Sequence, residues 1–296
     1  MFKSGFIGIV GRPNVGKSTL LNAIIGEKIA ITTHKPQTTR NRISGIKNLP
    51  EGQLVFVDTP GIHPADTPLS RSMVEAAREV FDSVDVVLLL VEAQAGILPG
   101  DRAVMDVLRE KALPVLLAIN KIDLVDKPKL LPLLDEARHL LPFLAMVPVS
   151  ALRNAGLDSL LNEIVQVLPE GPPLFPEEMF TDRSERFLAA EIIREKIMVL
   201  TRQEVPYASA VVVDAFKEDE SKNLIRIAAT ITVEKDSQKG IIIGKGGEML
   251  KKIGTQARRD LESFFAARVF LELFVRVRKD WTHNEQLLDE LGYKRR

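Results

Sequence analysis

The chain has 296 residues, 40 basic and 40 acidic side chains, and no cysteine. Its length predicts about two domains, and its 45% apolar content excludes a disordered or collagen-like chain. The missing cysteine excludes disulfide frameworks, zinc–thiolate centres and thiol nucleophiles, and no apolar run approaches the ~20 residues of a membrane span.

The opening MFKSGFIGIVG runs straight into a strand and carries no signal-peptide pattern, so a cytoplasmic location is the default expectation. Residues 6–10 form a short apolar run, and 17–25 show helical apolar spacing. Residues 54–57 read as a strand ending at Asp58, and 68–81 read as a helix. Strands over 86–91, 115–119 and 146–149 alternate with helices over 101–111, 130–140 and 156–168. Continuous Val/Ile/Leu runs separated by helices predict a mostly parallel sheet with helices on both faces, an α/β domain over 1–168.

Residues 169–180 open with four prolines in ten residues, a semi-rigid linker composition. A different pattern fills 181–296. It comprises a long amphipathic helix over 182–202, strands over 208–216 and 224–233, a glycine-rich loop, a helix over 248–265 and a strand over 269–277. The predicted order is α-β-β-α-β. The zero net charge is an average: residues 235–279 hold 11 basic and 5 acidic side chains, while 177–234 hold 8 and 12. The basic segment coincides with the glycine loop and the helix after it.

Gly11-Arg-Pro-Asn-Val-Gly16-Lys17-Ser18 matches G-x-x-x-x-G-K-[ST] between a strand and a helix, the context that makes it a phosphate-binding loop. Glycines let successive N–H groups, including those about Asn14, Val15 and Thr19, turn toward phosphate oxygens at a helix N-terminus. Lys17 is expected to reach the β- and γ-phosphates, and Ser18 to ligate Mg²⁺. Asn120-Lys121-Ile122-Asp123 follows a two-faced strand. There the Asp123 carboxylate can accept from N1–H and the 2-amino group of guanine, a donor pair that adenine lacks. Ser150-Ala151-Leu152 can offer a backbone N–H to the guanine oxygen. Asp58-Thr-Pro-Gly61 places a carboxylate toward Mg²⁺ and a glycine N–H toward the γ-phosphate. Thr38 or Thr39 can reach the metal when a γ-phosphate orders the loop. GTP is therefore the expected substrate, GDP the product and Mg²⁺ the metal, with Lys17, Thr39 and Gly61 as catalytic candidates.

GRPNVGKS, QTTR, DTPG, NKID and SAL, in this order, resemble the Era-like GTPases, the TrmE–Era branch of the translation-factor GTPases. The resemblance favours Thr39 over Thr38. It also suggests a potassium ion at Asn14, the alternative being that Asn14 only caps the loop. Ile62 stands where Ras-type enzymes carry a water-orienting glutamine, so slow intrinsic hydrolysis is expected. Arg40 and His63 read as structural or solvated rather than as arginine-finger substitutes.

A Gly-x-x-Gly pair by itself carries little, since Gly5/Gly8 and Gly8/Gly11 also fit. Ile241-Ile-Ile-Gly244-Lys-Gly-Gly247, set in a basic segment before a helix, resembles an α+β type II KH domain, whose loop clamps about four nucleotides. Ile243, Gly244, Lys245, Gly246, Gly247, Lys251, Lys252 and Arg258 are the RNA-binding candidates, with residues 241–243 and the strands as floor. Phe264, Phe265, Phe270 and Phe274 read as core. The motifs TDRSERF (181–187) and EIIREK (191–196), Trp281, and Leu291-Gly-Tyr293 extend the family resemblance to a C-terminal helical end. The family implies the 3′ region of 16S rRNA and the 30S subunit as partners, a monomeric chain, and peripheral contact with the inner face of the cell membrane. The alternative is a GTPase switch whose basic module docks on a protein or anionic membrane.

Overall fold

Strands β1 (Lys3–Val10), β2 (Ile43–Leu49), β3 (Gly52–Asp58), β4 (Val86–Glu92), β5 (Val115–Asn120) and β6 (Ala145–Pro148) form one sheet in the order β2-β3-β1-β4-β5-β6. The computed structural model describes residues 1–35, 38–58, 68, 69, 71, 73 and 80–293. Every pairing in this sheet is parallel except β2 with β3. The parallel strands are apolar on both faces because both are covered. Val87 through Val91 and Leu116 through Ile119 are all fully buried. Helices α1 (Lys17–Ile25), α2 (Pro99–Lys111), α3 (Leu130–Arg138) and α4 (Leu157–Val167) follow the expected segments closely. The expected helix over 68–81 falls largely outside the described residues. Those described there, 68, 69, 71, 73, 80 and 81, are helical.

The described residues divide into two compact units. One holds 1–30, 38–58, 73 and 80–182, and the other holds 31–35, 68, 69, 71 and 183–293. The proline-rich stretch belongs to the first unit rather than spanning free. Ser4 donates to the Pro169 and Pro172 carbonyls, Gln53 bonds three times to Leu174 and Phe175, and Thr181 Oγ1 donates to Ser44 O at 2.7 Å. This strap also bridges β2 antiparallel at Gly45–Thr181, covering an edge strand that would otherwise expose its ladder groups.

The second unit is built on α5 (Glu185–Leu200), β7 (Ala210–Asp219), β8 (Leu224–Val233), α6 (Asp236–Ile243), α7 (Glu248–Phe265), β9 (Arg268–Val277) and α8 (Glu285–Glu290). Its sheet runs β7-β8-β9, with β7–β8 antiparallel and β8–β9 parallel. The order is α-β-β-α-α-β, one helix more than the sequence pattern predicts. Residues 236–243 are helical although Ile241-Ile-Ile is β-branched. Gln238 Oε1 accepts from the Glu234 and Lys235 amides at the start, and Gly244 ends the helix with φ 72°.

Ile193, Ile197, Ile231, Ile253 and Leu261 join α5, α7 and the sheet in one core. Each such buried side chain contributes roughly 1.5–3 kcal/mol over an exposed one. Within α5, the buried Arg194 meets Glu191 through two bonds of 2.7 and 2.8 Å, a bidentate pair that satisfies both charges out of water. No described helix is long and apolar enough to cross a membrane.

Candidate nucleotide site and nucleic-acid interface

The carboxyl ends of β1, β3, β5 and β6 carry the loop at 11–18, Asp58, Asn120 and Ser150 respectively. β1 lies between β3 and β4, so its end is where the strand order reverses, the customary binding crevice of an open α/β sheet. Gly16 is the N-cap of α1 with φ 103°, and Asn14 also has a positive φ, of 65°. Val15 is buried and anchors the loop from inside. Arg12 is held by Asp101 of α2 at 2.8 Å, while Asp101 also accepts the Leu98 amide.

Lys17 Nζ donates to the carbonyls of Gly11 and Arg12 at 2.9 and 3.0 Å, folding over the loop it serves. Burial pushes its ammonium down from 10.5 to about 8; Asp58 pulls it up and Arg12 pushes it down further. The loop is thus set to gain from an incoming polyanion, which would restore the favoured charged form.

Three oxygens converge beside it. Ser18 Oγ donates to Asp58 Oδ2 at 2.8 Å, Thr39 Oγ1 donates to the same oxygen at 3.0 Å, and the two hydroxyl oxygens stand 2.9 Å apart. Each hydroxyl has one proton, so three such contacts cannot all be hydrogen bonds when both protons go to Asp58. A Mg²⁺ with ligands at roughly 2.0–2.1 Å in octahedral array sets neighbouring oxygens about 2.9–3.0 Å apart. The cluster therefore fits that ion. Among the described residues there is no group of three His, Cys, Asp or Glu side chains that could hold a metal. It is Thr39, itself buried, whose hydroxyl joins Ser18 and Asp58, whereas Thr38 is half-buried. Arg40 is buried, in line with a structural part. Gly61, Ile62 and His63 lie outside the described residues.

On the base-binding side, Asn120 Nδ2 donates to Val15 O at 2.8 Å and its Oδ1 accepts the Ala151 amide at 3.1 Å, tying three loops together. The amide of Ala151, one of the N–H groups expected to face guanine, is thus engaged by Asn120 here. Asp123 Oδ1 accepts from Ser150 Oγ at 2.5 Å. Lys121 pairs with Glu92 at 2.8 Å, with φ 64°. Leu152 is exposed. Sequence reading missed Glu92 and Asp101, which hold Lys121 and Arg12. Their only signal is position at the end of β4 and in the first turn of α2.

In the second unit, Gly244, Gly246 and Gly247 take φ of 72°, 60° and 84° at the N-terminus of α7. An open groove of about 450 Å³ runs from Gly247 along Leu250, Lys251 and Arg258 of α7 to Leu271 and Leu273 of β9. Its floor is apolar and its rim is basic. Lys245 and Lys252 are exposed but do not line it, and Ile243, half-buried, is not in its lining either. The apolar floor is not 241–243 as expected: Ile242 is buried in the core and Ile241 is exposed on α6.

The aromatic residues divide. Phe264 and Phe265 pack against the core and each other, centroids 5.0 Å apart. Phe270 and Phe274 are 47% and 57% exposed, which corrects their reading as core. They alternate with Val269, Leu271 and Leu273, and so stand on the opposite sheet face from the helices.

A family described as 50S ribosome-binding GTPase matches residues 6–121, and one described as KH domain matches 204–282. GTPase Era of Syntrophus aciditrophicus is 64% identical over 293 residues, covering 99% of this chain and 96% of the relative. GTPase Era of Geobacter metallireducens is 56% identical, covering 99% and 98%. Among solved structures, a point variant of Aquifex aeolicus Era bound to GDP·AlF4⁻ is 44% identical with a TM-score of 0.95, covering 99% of this chain and 100% of that one. Era in complex with MgGDPNP and nucleotides 1506–1542 of 16S ribosomal RNA is 43% identical with a TM-score of 0.95, covering both chains fully.

Proposed function

The chain belongs to the Era family of GTPases, and from that premise we propose that it is a GTP-hydrolysing switch that binds the 3′ region of 16S rRNA through its KH domain and assists 30S subunit assembly. The observation that carries the switch is the meeting of Thr39 with Ser18 and Asp58. A hydroxyl from the loop between α1 and β2 shares one oxygen cluster with the phosphate loop and the end of β3. A ligand at that cluster therefore acts directly on the loop's position.

In this reading the β- and γ-phosphates lie on the amides about Asn14 to Thr19, and Lys17 turns from the Gly11 and Arg12 carbonyls to neutralise them. Mg²⁺ held by Ser18, Thr39 and Asp58 would neutralise charge developing between the β- and γ-oxygens. Asp123 reads the guanine edge, Ser150 fixes Asp123, and Asn120 holds the base loop to the phosphate loop. Gly61 would add a backbone donor at the γ-phosphate. With Ile62 unable to orient water, the intrinsic rate is slow and a partner supplies acceleration. Asn14 takes a potassium ion beside the phosphates, tested by comparing turnover in K⁺ and Na⁺.

The RNA partner rests on the basic-rimmed groove beside the Gly-Lys-Gly-Gly loop, together with the end-to-end likeness to the rRNA-bound relative. A phosphate backbone can approach this loop closely, at a helix N-terminus and near Lys245, with Lys251 and Arg258 along the strand's path. The reading places a monomeric chain in the cytoplasm, where ribosomal RNA is, with membrane contact peripheral at the inner face. Crosslinking and sequencing of bound RNA, with GDP and with GDPNP, tests it. Crosslinks to the 16S 3′ region in either state support the reading. Their absence in both transfers the basic module to a protein or anionic-lipid partner.

A further inference from the structure

The exposed face of the β7-β8-β9 sheet is not used by the groove. Strand pairing sets Arg226 beside Phe270 and Thr230 beside Phe274, and the Arg226 guanidinium lies over the Phe270 ring at 5.5 Å. Phe270 and Phe274 sit four residues apart on one strand, roughly 13 Å at ~3.3 Å per residue. Lys217, Arg226, Arg268 and Arg276 supply four positive charges around them, against Asp214, Asp219 and Glu272. Asp214 accepts a bond from Thr230 at 2.6 Å, and Arg276 donates to Thr232.

A protein-docking face would set its apolar groups together. Here a carboxylate separates the two rings and cations surround them. Aromatic faces interleaved with cations are the chemistry of sequence-tolerant single-strand binding, in which bases stack on rings and phosphates meet the charges. The same strand serves both sides: Leu271 and Leu273 line the groove, while Phe270 and Phe274 face away from it. β9 is the sheet's edge strand, so a nucleic acid leaving the groove needs only to pass that edge to reach the rings.

We propose that this outer sheet face is a second RNA-binding surface, on which Phe270 and Phe274 stack bases of the strand that continues past the groove. It rests on the RNA reading above and extends it from a loop-and-groove clamp to a two-sided grip on β9. Both rings project from the sheet, so replacing them leaves the core untouched.

The full chain, loaded with GDPNP, is titrated at fixed salt with nucleotides 1506–1542 of 16S rRNA carrying 4-thiouridine. The Phe270→Ser/Phe274→Ser double variant should bind about 30-fold more weakly or worse, the loss of two stacked bases. It should lose crosslinks to 268–277 and keep those to 244–258, with GTP affinity unchanged. Binding within about twofold of the parent overturns the proposal. So does unchanged RNA affinity combined with a self-association seen in sedimentation that the double variant abolishes, which would make the face a contact between copies. A Lys251→Ala/Arg258→Ala groove variant separates the two readings. If it weakens binding and the ring variant does not, only the outer surface fails. If the parent does not bind the fragment at all, both fail.

Discussion

Two glycine-rich loops open onto helix N-termini in this chain, and they are built in opposite ways. At Gly16 a β-carbon would strike the Asn120 amide nitrogen, because the base-reading loop packs against the phosphate loop. At Gly247 a β-carbon would meet nothing within 4 Å. The first loop is closed by its own protein: Lys17 is folded over it, Arg12 is tied to Asp101, and Asn120 locks it to the strand edges. The second is left open above a groove with an apolar floor. A site for one small polyanion gains from donors fixed beforehand. A site for a chain that must enter and leave along its length gains from an unobstructed surface. At Gly16 and Gly247 alike the positive φ favours glycine, but of these two only Gly16 is also required by packing; in the second loop that requirement falls on Gly244, whose β-carbon would meet the Met249 amide at 2.8 Å.

The most disruptive test of that difference replaces Gly244 and Gly247 together with aspartate. Binding of the 16S fragment should fall more than about 100-fold, because charge and bulk now meet the phosphate backbone. GTP affinity, read by fluorescent nucleotide titration, should be unchanged. Loss of both would show the second unit to be misfolded. Lys17→Ala is the mirror experiment. It should weaken GTP binding by about 10²–10³-fold, the scale of truncating a buried charged contact, while nucleotide-free RNA binding persists.

Asp123→Asn should lower GTP affinity by about 100-fold and raise affinity for xanthosine triphosphate, whose acceptor at position 2 matches the new amide. Retained GTP preference would remove Asp123 from base recognition. A smaller effect separates the two glycines directly. Gly16→Ala should cost about 2–3 kcal/mol in urea unfolding of the first unit, from strain plus displacement of Asn120. Gly247→Ala should cost only about 1 kcal/mol, the left-handed backbone penalty alone.

The smallest effect is a pH dependence confined to the closed loop. Lys17 in the folded, nucleotide-free chain titrates at about 8, below its free value of 10.5. Between these values the unfolded chain binds more protons, so nucleotide-free stability rises with pH from about 8 toward 10.5. GTP restores the charged form, so binding takes up protons and weakens as pH climbs above about 8. Calorimetry in buffers of different ionisation enthalpy reads that proton uptake. RNA binding at the open loop should show no counterpart centred there.

The local motifs were readable from the chain because their parts are neighbours in it. The phosphate loop, NKID and the Gly-Lys-Gly-Gly turn each place donors or acceptors within a few residues of a strand end or helix start. Hydrophobic period likewise anticipated α1 and α7 to the residue, since both keep one apolar stripe. The helix at 236–243 was hidden because its three isoleucines favour a strand locally, and only burial of Ile242 against the core, with caps at Gln238 and Gly244, overrides that. The proline-rich stretch read as a spacer, yet its carbonyls and amides are taken up by Ser4, Gln53 and the Ile46 amide, which gave no sign of it in the sequence.

By itself the amino-acid sequence determined that the chain has an α/β phosphate-binding half and a second half in which a basic segment carries a glycine turn, because those follow from periodicity and from contiguous donor patterns. Tertiary structure alone decided that Thr39 reaches Ser18 and Asp58, which lie 21 and 19 residues away along the chain. It likewise decided that Phe270 and Phe274 face outward. Alternation along a strand separates two faces, but only the helices packed on one of them determine which aromatic residues are left to meet a ligand.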